Sequence, residues 1–403
     1  MDIKITPSFL GGSIDIPPSK SISHRALIAA ALASGESTVE NLLDCADTDA
    51  TVEALTALGA KIERCGNSAK ITGISKPNKQ VKINCRESGS TLRFMIPVAA
   101  ALGADSEFSG SGKLPERPIT PFFELLPEHG VQFLTKQMPY RINGRLNGGS
   151  FPIAGNISSQ FITGLLMAFP LTGEDCEIRI TTALESKGYI DLTLDVMERF
   201  GAHISEIENE YFSAKNTSYK PCNFSVEADL SQAAFFLVAN AVGSKISING
   251  INRQSRQGDR AILDITENFS KKHAPFHINA SQIPDLVPIL TVLACFADGV
   301  SEITGCERLR IKECDRLAAI SQELNKLGAK VEIIGDSLKI TGVKELRGGE
   351  CDAWNDHRIA MSLAVASTRS TAPIIIRGAE CVSKSYPRFF EDFRMLGGIA
   401  DVI

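Results

Sequence analysis

The sequence predicts an α/β fold, α+β in its local order, made of two similar domains that each hold three β-α-β-α-β-β repeat units. Three observations predict it. Leu58-Gly59-Ala60-Lys61-Ile62-Glu63, followed by Lys70-Ile71-Thr72-Gly73, returns far downstream as Leu327-Gly328-Ala329-Lys330-Val331-Glu332, followed by Lys339-Ile340-Thr341-Gly342. Such self-similarity marks an internal repeat. Related endings stand at Phe200-Gly201-Ala202 and Leu396-Gly397-Gly398, with a degenerate one at His129-Gly130-Val131. Six helix starts, near Ser23, Ser90, Ser159, Ser231, Pro284 and His357, divide the 403 residues into units of about 67. Six units make two groups of three.

The elements of a unit follow in a fixed order. A helix of small apolar residues comes first, as at 25–33 and 286–297. A glycine turn follows (Ser34-Gly35, Asp298-Gly299), then a short β-like run at 37–42 or 300–303. The second helix is amphipathic: Val52, Leu55 and Leu58 in one unit, Leu317, Ile320, Leu324 and Leu327 in another, fall at helical spacing. Its terminal glycine suits a left-handed cap. A strand pair closes the unit, 61–63 with 70–71 around the polar turn Gly66-Asn67. Strand-like text meets a new helix near 16–19 and 225–229, the two places where the chain is expected to cross between domains.

Composition narrows the function. With 43% apolar and 22% charged residues the chain is a globular protein, not a disordered one. The net charge of −5 excludes a general polyanion binder, so nucleic acid is not an expected partner. The longest apolar stretch, 94–102, is too short for a membrane span and contains Pro97. Residues 1–10 lack the basic and apolar regions of a secretory signal, and the ten cysteines show no C-x-x-C pair. Reduced thiols and a cytoplasmic location are expected.

The basic residues gather at helix starts. Pro18-Ser19-Lys20-Ser21-Ile22-Ser23-His24-Arg25 opens one apolar helix and Glu87-Ser88-Gly89-Ser90-Thr91-Leu92-Arg93 opens another. Free N–H groups at a helix start bind anions, and Lys and Arg strengthen the site. Gly89 permits close approach of the backbone, and Arg93 offers a fork for phosphate or carboxylate. Either segment alone could be an ordinary N-cap with surface charge; their recurrence at equivalent places of successive repeats favours anion binding. Ser159-Gln160 and His357-Arg358 open further helices. Between residues 308 and 316, Arg308, Lys312 and Arg316 fall four apart, on one face if helical, with Glu313 and Asp315 off that face. Asp285 opens another apolar helix, where a carboxylate is most often a cap.

Other signals fail. Phe108-Ser109-Gly110-Ser111-Gly112-Lys113-Leu114 lacks the first glycine and the final Ser or Thr of a phosphate loop. His273 and His277 are separated by Pro275, so no metal site is expected. There is no G-x-S-x-G elbow. Among the cysteines only Cys85 and Cys314 sit in electropositive turns, and Cys314 reads as a helix-packing residue.

Taken in order, Pro-Ser-Lys-Ser-Ile-Ser-His-Arg (18–25), Ser-Gly-Ser-Thr-Leu-Arg (88–93), Glu-Arg-Pro-Ile (116–119), Ser-Ser-Gln-Phe (158–161), Arg-Ile-Lys-Glu-Cys-Asp-Arg (310–316) and Asn-Asp-His-Arg (355–358) resemble the EPSP synthase family, the 3-phosphoshikimate 1-carboxyvinyltransferases, over essentially the whole chain. The resemblance implies transfer of the enolpyruvyl group of phosphoenolpyruvate to the 5-hydroxyl of shikimate 3-phosphate, with release of phosphate. It implies an inside-out α/β barrel, repeats surrounding buried parallel helices, in a discontinuous domain of 1–18 plus 227–403 and an inserted domain of 19–226, with substrates in the cleft between them. It implies no cofactor and no metal, and a monomer is expected.

Matched position by position, the resemblance gives shikimate 3-phosphate the contacts Lys20, Ser21, Arg25, Ser158, Ser159, Ser186, Tyr189, Asp285 and Lys312. It gives phosphoenolpyruvate Lys20, Gly89, Arg93, Arg117, Gln160, Arg316, Arg358 and Lys384. Asp285 is similar to the carboxylate that deprotonates the 5-hydroxyl, Glu313 to the group that handles protons at the phosphoenolpyruvate methylene, and Lys20 counts with them as catalytic. The residue types suit the reaction, which needs charge compensation for phosphate and carboxylate together with acid and base groups. The sequence departs from the family's usual text at Glu87, Phe94 and Arg308; Gly89 is kept, from which sensitivity to glyphosate is expected. The sister enzymes that act on UDP-N-acetylglucosamine carry a loop cysteine that 112–117 lacks.

Overall fold

The computed structural model describes residues 1–403. The chain forms two compact units, one of Pro18–Glu227 and one of Met1–Pro17 with Ala228–Ile403.

The inserted unit has six helices: α1 (Lys20–Leu32), α2 (Ala46–Leu58), α3 (Gly89–Ala101), α4 (Thr120–Leu125), α5 (Ser159–Ala168) and α6 (Lys187–Arg199). Those that are apolar all round are buried, as a helix without a polar face must be. In α1 every residue from Ile22 to Leu32 is buried, and in α3 every residue from Thr91 to Ala101. Helix α3 lies along α5, and Gly164 makes that approach possible: a Cβ there would come within 2.3 Å of the Arg93 carbonyl oxygen. Helices α2 and α6 are amphipathic, burying Leu55 and Leu58 in one and Ile190, Val196 and Met197 in the other.

Three four-stranded sheets surround these helices with one topology. In the order of pairing they are Gln80–Asn84, Asp105–Ser109, Tyr140–Gly144 and Val131–Phe133; Gly149–Ile153, Cys176–Ile180, Tyr211–Ala214 and Ser205–Ile207; and Asn223–Ser225, Glu36–Glu40, Ser68–Thr72 and Lys61–Cys65. The first two strands of each are parallel, joined in the first two sheets by the apolar helix, and the rest is an antiparallel hairpin. Gly59, with φ of 116°, ends α2 in the left-handed conformation that turns the chain into its hairpin.

The discontinuous unit repeats the plan with α7 (Leu230–Ala241), α8 (Ala261–Lys272), α9 (Val287–Ala294), α10 (Arg316–Lys326), α11 (His357–Ala366) and α12 (Phe389–Met395). One sheet orders His277–Asn279, Val300–Thr304, Ser337–Thr341 and Lys330–Ile334. In another, Gly349–Asp352 and Ile374–Arg377 meet a hairpin assembled from the two ends of the chain, Ile3–Thr6 and Ile399–Val402. The third has only two strands, Gly11–Asp15 parallel to Lys245–Asn249. This corrects the expectation of six full β-α-β-α-β-β units. The repeat that begins at Ser231 has no closing hairpin: α8 ends at His273, left-handed with φ of 47°, and the chain passes directly into His277–Asn279. The sequence carries five Gly-containing endings for six helix starts, and the missing one belongs to this repeat. All ten cysteines are free, and no helix is long and apolar enough to cross a membrane.

Candidate active site

In the inserted unit the predicted residues gather at the N-termini of α1, α3, α5 and α6. Ser19 caps α1 by accepting from the Ile22 amide, Ser88 caps α3 from the Thr91 amide, and Ser158 caps α5 from the Gln160 amide. Lys20 pairs through Nζ with Asp47 Oδ2 at 3.0 Å, across the first turn of α2. Arg93, 3% exposed, donates to Gln160 Oε1 at 2.7 Å and to the Pro118 carbonyl at 3.0 Å, with its guanidinium over the Phe161 ring. Gln160 in turn donates to Ser90 Oγ at 3.0 Å. Gly89 proves to be where a guanidinium approaches: a Cβ on it would lie 2.6 Å from the Nη1 of Arg117. Ser186 precedes α6 with φ of 54° and is buried, and Tyr189 sits in the first turn of that helix.

Arg25 is placed differently from its neighbours. Four of its N–H groups serve the protein: Thr193 Oγ1 at 2.8 Å, the Ser21 carbonyl at 2.8 Å, the Tyr189 carbonyl at 2.9 Å and Thr163 Oγ1 at 3.3 Å. It ties α1 to α5 and α6, and burial lowers its pKa to about 10. Beside it His24 is buried with Nδ1 2.7 Å from Thr51 Oγ1; burial, aided by Lys20 and Arg25, holds the imidazole neutral.

In the discontinuous unit, Asp285 is the centre of a cluster. It lies in the 3₁₀ turn Pro284–Leu286 that leads into α9, and it is the N-cap residue of neither. Its carboxylate accepts from Arg316 at 2.9 Å, Arg358 at 3.0 Å and Lys312 at 3.5 Å, and its carbonyl accepts from Arg358 at 3.0 Å. Arg316, 1% exposed, also donates to Asp356 Oδ2 at 2.7 Å and Glu313 Oε2 at 2.6 Å. Burial alone would lower its pKa, but Asp356, Glu313 and Asp285 together hold it well above the ordinary value. Lys312, with a quarter of its side chain exposed, is pushed down to about 8 by burial, against the pull of Asp285. Lys384 donates to the Asn355 carbonyl at 2.7 Å, at the entry to α11.

Several expectations change here. Arg308, Lys312 and Arg316 do not share a helix face, because Glu307–Ile311 is a 3₁₀ turn and α10 begins only at Arg316. Lys312 and Arg316 still meet on Asp285, whereas Arg308 donates to the Ser281 carbonyl at 2.7 Å. Asp315 caps α10. Cys314 packs, partly buried, against the apolar core, as the sequence suggests, and its thiol also reaches Asp356 Oδ2 at 3.6 Å. Sequence reasoning gave no role to Asp356, buried at the N-cap of α11, or to Asp259, which accepts from Ser231 Oγ. Burial, then the charge of Asp285, raises Asp259 to about 6. The cap position was a usable signal for Asp356; nothing local marked Asp259.

The model of the family described as EPSP synthase (3-phosphoshikimate 1-carboxyvinyltransferase) matches residues 5–393. The chain belongs to the EPSP synthase family. A 3-phosphoshikimate 1-carboxyvinyltransferase of Clostridium perfringens is 48% identical over 415 residues, covering 98% of each chain. One of Clostridium kluyveri is 45% identical over 421 residues, covering 99% of this chain and 98% of its own. Among solved structures, the EPSP synthase of Acinetobacter baumannii superimposes with a TM-score of 0.83 at 24% identity over the whole of both chains. The enolpyruvyl transferase NikO of Streptomyces tendae gives 0.79 at 17% identity, over 99% of this chain and 98% of its own. At those identities the structural likeness speaks for the fold, and the membership rests on the sequence relatives.

Proposed function

We propose that this EPSP synthase family member carries out its family's reaction with the residues described above: phosphoenolpyruvate gives its enolpyruvyl group to the 5-hydroxyl of shikimate 3-phosphate, and phosphate leaves. Protonation of the phosphoenolpyruvate methylene makes the adjacent carbon cation-like. The hydroxyl oxygen adds there as Asp285 takes its proton. The tetrahedral adduct then expels phosphate and returns a proton from the methyl group, with Glu313 handling the protons at that carbon. Every step is a proton transfer, an addition or an elimination, so the chemistry calls for no cofactor. We place it in the cytoplasm, in a monomer.

The observation that carries these roles is the carboxylate of Asp285 held by Arg316, Arg358 and Lys312. The same cations serve an anionic substrate. An incoming carboxylate that bonds to Arg316 and Arg358 competes with Asp285 for their N–H groups, and Asp285 becomes more basic as phosphoenolpyruvate binds. In the inserted unit Arg93, Gln160, Arg117 and Lys20 supply further donors for phosphoenolpyruvate, and Ser21, Ser158, Ser159, Ser186 and Tyr189 line the start of three helices for shikimate 3-phosphate. Arg25 keeps one Nη1 hydrogen for that purpose beyond the four it spends on the protein. The deciding experiment is phosphate release from phosphoenolpyruvate with shikimate 3-phosphate as sole acceptor. Release is expected; none with this acceptor, or release with UDP-N-acetylglucosamine instead, overturns the assignment.

Two results are expected at single residues. Gly89→Ala drives a Cβ into the Arg117 guanidinium, so KM for phosphoenolpyruvate should rise about tenfold while KM for shikimate 3-phosphate changes little. An unchanged KM for phosphoenolpyruvate would remove Arg117 from its binding. Lys312 loses its charge as pH rises through about 8, well before an ordinary lysine would. KM for shikimate 3-phosphate should therefore climb above about pH 8, and Lys312→Arg should flatten that limb, since guanidinium stays charged. Parallel profiles in the two proteins would show that the charge of Lys312 does not bind shikimate 3-phosphate.

A further inference from the structure

Glu323 lies about two turns along α10 from Arg316. Its side chain is fully buried, at 0% exposure. A buried carboxylate must be matched by donors, and its donors are specific. Oε1 accepts from the Trp354 indole at 2.8 Å and Oε2 from the Asp352 amide at 3.1 Å, while Lys326 reaches both oxygens at 2.9 and 2.7 Å. Two of these donors, Asp352 at the end of its strand and Trp354 just after it, lead into the turn that opens α11.

That turn is unusual. Trp354 and Asn355 are successive non-glycine residues in the left-handed region, with φ of 54° and 51°. Such a pair persists where the surroundings impose it. Its consequences fall on the candidate active site. It aims the Asn355 carbonyl at Lys384, 2.7 Å away, and sets Asp356, which accepts from Arg316 Nε at 2.7 Å and from the Arg358 amide at 2.8 Å.

We propose that Glu323 is a positioning residue for phosphoenolpyruvate: by clamping the Trp354 indole and the Asp352 amide it fixes the left-handed turn from which Lys384, Arg316 and Arg358 take their places. The inference rests on the reading of Lys384 and Arg358 as phosphoenolpyruvate ligands. A purely structural ion pair with Lys326 is the simpler account. Lys326, however, is 42% exposed, and it leaves both turn donors unexplained.

Trp354 is the only tryptophan in the chain, so intrinsic emission reports on this clamp directly. Glu323→Gln replaces one acceptor oxygen with an N–H donor that faces other donors. It should shift the tryptophan emission and raise KM for phosphoenolpyruvate about tenfold, with KM for shikimate 3-phosphate and far-ultraviolet circular dichroism little changed. Trp354→Phe keeps a ring and deletes the N–H, so KM should move the same way. The double variant should be no worse than Glu323→Gln alone, because both cut one link. A KM for phosphoenolpyruvate that stays put in Glu323→Gln, or in Trp354→Phe should the first variant fail to fold, overturns the positioning role if Lys384→Met raises that KM. If Lys384→Met also leaves it unmoved, the reading of Lys384 as a ligand falls as well.

Discussion

Asp285→Asn is expected to lower kcat by about 10²–10⁴-fold, the usual contribution of a positioned general base, without weakening the binding of phosphoenolpyruvate. The asymmetry follows from the two things Asp285 does. It takes the proton of the acceptor hydroxyl, and it is also the shared counter-ion of Arg316, Arg358 and Lys312. Asparagine keeps the volume and an acceptor oxygen but removes the negative charge. Arg316 retains Asp356 and Glu313, at 2.7 and 2.6 Å, so the cluster stays assembled while its charge becomes more positive. An anionic substrate should then bind at least as tightly, and inorganic phosphate should inhibit more strongly. The loss of a charged partner in a mostly buried network should lower stability by about 1–3 kcal/mol, readable as a shift of the urea midpoint. A kcat within about tenfold of the natural protein would dismiss Asp285 as the base; a large rise in KM for phosphoenolpyruvate would show that it binds substrate by a route other than the one argued.

Much of the scaffold behind that site could be read in the sequence because it is written locally. Ser19, Ser88, Ser158, Asp229 and Asp356 occupy the N-caps of apolar helices, and each cap is a pattern of a few adjacent residues. Gly59, Gly201, Gly328 and Gly397 take positive φ at the ends of helices, as their text demands. What could not be read is pairing at a distance. Arg316 finds Asp356 forty residues on, and Arg358 finds Asp285 seventy-three residues back, because the packing of successive repeats brings their helix starts together. Spacing alone even misled: the i, i+4 pattern of Arg308, Lys312 and Arg316 is periodic by accident, broken by a 3₁₀ turn and the extended backbone of Lys312. The same limit hid Asp47 behind Lys20, and that pair alters what a mutation there should do.

Lys20→Met should cut turnover by about 10²–10³-fold or more, the scale of losing one charged donor from a preorganised site. From sequence, the partner of Lys20 was expected to be a ligand, so that its removal would leave the fold untouched. Its Nζ in fact lies 3.0 Å from Asp47 Oδ2, with the two side chains only 16% and 13% exposed. Methionine therefore strands a largely buried carboxylate. That alone should lower stability by about 1–3 kcal/mol, softened because Asp47 sits in the first turn of α2, where the helix N-terminus favours negative charge. Loss of activity in this variant is consequently ambiguous between a missing substrate contact and a disturbed helix start. The double variant Lys20→Met/Asp47→Asn separates them. Removing the stranded charge should restore the melting temperature, since residues in direct contact do not behave additively. Turnover should stay at the level of the single variant, because no ammonium has returned to meet the substrate. If activity came back with stability, Lys20 would be only the counter-ion of Asp47, and the cationic contact to both substrates would have to be sought among the arginines.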